Sequence, residues 1–150
     1  MRLSAHGIHV ELPHSWSGRL FSRHGHAATL HAGNFPLVLS DGEFGDRSTA
    51  AMNPGATFFA LTEYRPGAGL KAGAGLFKPN RIPRPLDPAG FAAAGLAHPR
   101  PYQVGMQHFF TAAGRPFCLY VVLAGARSTR RHQLAGVDHV LHSLHIEART

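Results

Sequence analysis

Polar and apolar residues alternate along Gly7 to Leu12 (GIHVEL), with Ile8, Val10 and Leu12 on one face and His9 and Glu11 on the other. A period of two predicts a half-buried strand, which Pro13 ends. Trp16 follows in HSWSG, a turn that places its ring over one edge of the core. Arg19 to Arg23 and Ala27 to Ala32 read as two short strands joined through residues 23–26. After turn signals at Gly33-Asn34 and Asp41 to Gly45, Arg47 to Met52 predicts one or two turns of helix with Asp46 as N-cap, stopped by Asn53-Pro54-Gly55.

Ala56 to Tyr64 (ATFFALTEY) is apolar on both faces, the pattern of a strand central in a sheet. Two further apolar runs flank Ala113-Gly114, from Val104 to Ala124. With those two residues as the turn, Phe110 faces Phe117, His108 faces Leu119, Met106 faces Val121 and Val104 faces Leu123. Ala113 suits a type I′ turn poorly, so a four-residue loop in the same register is the alternative. Leu134, Val137, Val140, Leu141 and Leu144 recur at three- and four-residue spacing and predict an amphipathic helix over Arg131 to Leu144. Gly136 weakens its first turn by about 1 kcal/mol, which would move the start to Val137. The order of elements predicts a single α+β domain over residues 1–150, with a mainly antiparallel sheet flanked by helices.

Between the central strand and the hairpin, Arg65 to Pro101 has little periodicity and most of the prolines. It reads as a long irregular segment, extended over the surface and part of any partner site. Within it GAGLKA, Gly67 to Ala72, matches G-x-G-x-x-[GA], and Asp87 stands twenty positions after the first glycine. A dinucleotide site needs a helix to begin in that motif, so that free N–H groups meet the pyrophosphate. Gly73, Gly75, Pro79, Pro83 and Pro85 prevent one, and the loop reading is preferred.

Composition narrows the function classes. Hydrophobic residues make up 44% of the chain and charged residues 15%, which predicts a folded rather than a disordered chain. Cys118 is the one cysteine, so no internal disulfide or cysteine-built zinc site is expected, and a reducing, cytoplasmic compartment fits. The opening segment has no apolar core of a signal peptide, and the longest apolar stretch falls well short of the roughly 20 residues that span a bilayer. No membrane association is expected. The net charge is +7, with thirteen arginines against two lysines. Heavy use of Arg, Ala, Gly and Pro is also what GC-rich coding produces, so the basic balance does not by itself predict an acidic partner.

Twelve histidines raise a metal reading. His24 and His26 share a strand face and can reach one ion, with His31 the third candidate, although its parity is opposite unless the chain bends. On the last helix Asp138, His139 and His142 are neighbours, with His145 beyond, and a solvated face explains them as well. His108 falls among apolar residues and reads as a core histidine. Eight carboxylates and one strand-buried thiol form no catalytic pattern, so no catalytic residue and no cofactor is predicted. Arg127, Arg130 and Arg131 form the tightest basic cluster, but the aromatics lie inside strand patterns, which disfavours single-stranded nucleic acid and favours a solvated loop.

A first strand closing on Leu-Pro and Trp (GIHVELPHSW), a last helix running into a short strand (VLHSLHIEAR) and the central hairpin resemble the PsbP-like fold. That fold is shared by a photosystem II extrinsic subunit, a Ran-binding import factor and bacterial members. The resemblance implies an antiparallel sheet flanked by helices and a non-enzymatic role in binding or assembly with a protein partner. It carries no functional residue onto this chain, and the chain lacks the lipid-anchor cysteine of the bacterial lipoproteins. The alternative from another class is a histidine-based metal-binding protein or metal-dependent enzyme.

Overall fold

The computed structural model describes residues 1–22, 27–65, 67 and 70–149. His24, His26 and Gly69 lie outside the described residues. Five strands form the larger sheet: β3 (Ser17–Ser22), β4 (Ala28–Gly33), β5 (Thr57–Glu63), β6 (Gln103–Ala112) and β7 (Arg115–Ala124), in the order β3-β4-β5-β7-β6. A smaller sheet joins β1 (Arg2–Ala5), β2 (Ile8–Glu11) and β8 (His145–Ile146), with β2 in the middle. Every pairing is antiparallel. The helices are α1 (Asp46–Ala50) and α2 (Arg130–Ser143), so the α+β expectation holds, with the strands divided between two sheets.

The hairpin forms in the expected register, Phe110 opposite Phe117, His108 opposite Leu119, Met106 opposite Val121 and Val104 opposite Leu123. The two-residue turn prevails over the longer loop: Ala113 and Gly114 take φ of 52° and 73°, both left-handed as a type I′ turn demands. One face of the larger sheet, carrying Leu61, Phe110, Phe117, Leu119 and Val121, packs against Leu134, Val137, Val140 and Leu141 of α2 and against Ile8 and Val10 of the small sheet. On the other face Phe58, Ala60, Tyr120 and Val122 are covered by Phe35, Leu37, Phe44 and Met52. Covering on both faces is why β5 and β7 are apolar at successive positions.

Two local expectations are corrected. Gly45, not Asp46, holds the N-cap position of α1, at φ 66°, and a Cβ there would meet the Phe58 ring at 2.3 Å. The capping oxygens come from Asp41, which accepts from the N–H groups of Arg47 and Ser48 at 2.8 Å each. Burial would raise the Asp41 carboxyl pKa, but hydrogen bonds from Arg47, Ser48 and Gly42 hold it below its ordinary value. The second correction concerns α2, which begins at Arg130 rather than near Val137. Gln133 anchors its first turn by donating to the carbonyls of Ala56 and Ala124 at 3.0 Å, and Leu134 is buried. These contacts outweigh the low helix propensity of Gly136.

The described part of segment 65–101 is irregular, as expected, but contributes to the core. It forms short 3-10 turns at Gly75–Phe77, Pro88–Gly90 and Ala93–Gly95, and buries Phe77, Leu86, Phe91 and Leu96. Its backbone ties to the outer edge of β6 through Ala92 and Gly105, which exchange two hydrogen bonds, and through Pro79, whose carbonyl accepts from Thr111 N–H at 2.7 Å. A Cβ on Gly95 would lie 2.1 Å from the Gly105 carbonyl oxygen, so only glycine permits this approach. The segment thus works as a strap that shields an edge strand from pairing with other chains.

Candidate functional site

The most developed polar site lies where β5 ends and β7 begins. Glu63 closes an apolar strand and Arg115 opens another, and the sheet register brings the two together. Both side chains are 3% exposed. Arg115 donates from Nε to Glu63 Oε2 at 2.8 Å and from Nη2 to Oε1 at 3.0 Å, a bidentate pair. Its remaining bonds reach the small sheet: Nη1 donates to the Glu147 carbonyl at 2.9 Å and Nη2 to the His6 carbonyl at 2.8 Å. Gly7 lets the guanidinium come this close, since a Cβ there would stand 2.8 Å from Nη1.

Arg149 donates to the same carboxylate from Nε, at 3.0 Å, and from Nη2, but its side chain is 59% exposed. Burial would push the Glu63 pKa up. The hydrogen bonds and charges of Arg115 and Arg149 outweigh burial and hold it down at about 2. Neighbouring Tyr64 is pushed up to about 12, by burial first and then by the charges of Cys118 and Glu43. Glu63, Tyr64, Arg115 and Arg149 line a cavity of about 560 Å³, with Ala27, Arg65, Ala148 and the Ala113–Pro116 turn completing the wall.

The residues singled out from the sequence lie elsewhere. His31 is buried in β4, where its Nε2 donates to the Glu43 carbonyl at 2.8 Å and its ring meets Phe21 and Phe58 edge-on. Among the described residues no group of three or more His, Cys, Asp or Glu converges to hold a metal ion. Asp138 accepts from Leu86 N–H at 2.9 Å, while His139, His142 and His145 are exposed. His108 is half-buried beside Phe110, and burial lowers its pKa. Burial pushes the Cys118 thiol up to about 12, a value at which it is no nucleophile.

In the glycine stretch Gly67 and Leu70 exchange two backbone hydrogen bonds, and no α-helix follows among the described residues up to the hairpin. Asp87 accepts from Ala89 N–H at 2.9 Å and caps a 3-10 turn. Its carboxylate has the role of a turn cap, in line with the loop reading.

Sequence reasoning passed over Glu63 and Arg115. The usable signal was a single charge at the end of each of two strands otherwise without charge, of opposite sign, in runs that a sheet could bring side by side. No helix among the described residues is long and apolar enough to cross a membrane. Comparison of the chain with protein-family models, with curated proteins and with solved structures finds no match.

Proposed function

We propose that the chain is a non-enzymatic module that binds or assembles with another protein, and that the cavity beside Glu63 receives an acidic group of that partner. One observation carries the reading: Glu63 is locked in a buried bidentate pair with Arg115, and the surroundings hold the pKa of its carboxyl and of the Tyr64 hydroxyl far from neutrality, so neither changes charge there. General acid–base catalysis works best with a pKa near the operating pH, whereas fixed charges suit recognition. Arg65, Arg115 and Arg149 outnumber Glu63, which leaves the cavity wall net positive. Arg149 directs Nε and Nη2 to Glu63, yet its side chain is exposed at the cavity wall, where an incoming carboxylate can meet its charge. The resemblance to the PsbP-like fold supports the same class of role.

The test begins with isolation of a stoichiometric partner from the native cell, using the intact chain as bait, followed by titration calorimetry with the purified partner. Arg149→Glu, at an exposed position, is expected to weaken binding at least about tenfold, since a like charge across an interface is strongly unfavourable. Undiminished affinity in both Arg149→Glu and Arg65→Glu would overturn the proposal.

A further inference from the structure

A second concave surface lies between the strap and the start of α2. Asp87, Pro88 and Ala89 form one wall, and Arg127, Ser128, Arg130 and Arg131 form the other, around a cleft of about 420 Å³. Among the described residues none of the three arginines is within ion-pair distance of a carboxylate. The one acidic residue in the cleft, Asp87, already accepts from Ala89 N–H. Arg130 adds a specific anomaly: its Nε is shielded from solvent and has no hydrogen-bond partner. A buried guanidinium donor without an acceptor is unfavourable, and such a group calls for an explanation. The chain also enters α2 through a 3-10 turn, Arg127–Thr129, with no side-chain cap, so the positive end of the helix adds to the same field.

We propose that this cleft binds a phosphomonoester group held by Arg127, Arg130 and Arg131. Three arginines against one aspartate leave an excess of positive charge that matches the roughly −1.5 to −2 of a phosphomonoester near neutral pH. Planar guanidinium forks pair with phosphate oxygens two donors at a time, which makes arginine rather than lysine the suitable residue. The site is separate from the cavity beside Glu63 and does not depend on the protein-binding reading.

Titration calorimetry of the intact chain with inorganic phosphate, in chloride buffer of low ionic strength, provides the test. Saturable binding with a Kd of about 1 mM or tighter is expected, a modest affinity for so small an anion. Arg130→Lys keeps the charge but removes the planar guanidinium fork, and is expected to weaken binding at least about tenfold. Ser128→Glu, at an exposed position and with its fold checked by circular dichroism, should abolish binding by placing a carboxylate in the cleft. Arg81→Gln, on the strap outside the cleft, should bind as the parent does. Absence of saturation up to about 10 mM phosphate, undiminished binding by Ser128→Glu, or equal loss in Arg81→Gln would each overturn the proposal. So would an oligonucleotide with a 5′-hydroxyl binding as tightly as its 5′-phosphorylated counterpart, which would point to diester backbone instead.

Discussion

Arg115 and Arg130 are both drawn in from solvent, yet their surroundings differ. Arg115 directs its donors to Glu63, Glu147 and His6 inside the fold, whereas the Nε of Arg130 is buried with no acceptor. A guanidinium whose every nitrogen is hydrogen-bonded within the chain joins parts of the structure. One left short of acceptors, in a cleft of like charges, contributes no such tie, and its positive charge is what the proposed phosphate site draws on. The two clusters therefore separate the question of what holds the fold from the question of what the fold holds.

The largest expected effect breaks the first cluster. Arg115→Met leaves Glu63 buried with only the exposed Arg149 to balance it, and should destabilise the chain by about 3 to 5 kcal/mol in equilibrium unfolding. A loss below about 1 kcal/mol would mean that Glu63 rehydrates easily and that the cluster is not a structural tie.

Next in size is the response to acid. The folded-state pKa of Glu63 is depressed from an ordinary 4.5 to about 2, so its contribution is present above pH 4.5 and is lost as pH falls towards 2. The shift corresponds to roughly 3 kcal/mol. Urea midpoints measured across that window should fall steeply for the parent and more gently for Glu63→Gln, and parallel profiles would exclude Glu63 as the source.

Arg149→Ala should have a smaller effect, under about 1 kcal/mol, because an exposed partner contributes little to an ion pair. Thermal unfolding reads it, and a loss close to that of Arg115→Met would make the two arginines equivalent. Smallest of all is Arg131→Gln in the open cleft, which should leave stability within about 0.5 kcal/mol of the parent by the same measurement. A clear destabilisation there would show that the cleft arginines are structural and blunt the contrast with Arg115.

The hairpin was legible down to its register because its information is local: alternating side chains on either side of Ala113-Gly114 allow one pairing that buries Phe110 and Phe117 together. The α2 stripe was legible for the same reason. What escaped involves partners distant in sequence or chosen among near neighbours. Asp41 caps α1 from before the turn, where Asp46 matched the local pattern better. Gln133 offsets a helix-weakening glycine through carbonyls that only the assembled sheet supplies. Glu63 and Arg115 lie far apart in the chain, and neither periodicity nor composition pairs them. The strap showed its irregularity in its prolines and glycines, but not its buried Phe77 and Leu96, because single apolar residues in a loop have no period.

The pairing of Ile8 with Ile146 brings together strands from far apart in the sequence. Contacts of such long range form slowly, since much chain must be ordered before they repay the loss of freedom. The small sheet is then expected to form late on the folding route, so that substitutions at Ile8 or Ile146 should speed unfolding while leaving the folding rate nearly unchanged. Arg115 reaches His6 and Glu147 only once that sheet has docked, and Ala148 and Arg149, which wall the cavity, follow directly from β8. Completion of the cavity wall thereby waits on the small sheet, because an earlier species has Glu63 and the Ala113–Pro116 turn in place but not Ala148 and Arg149.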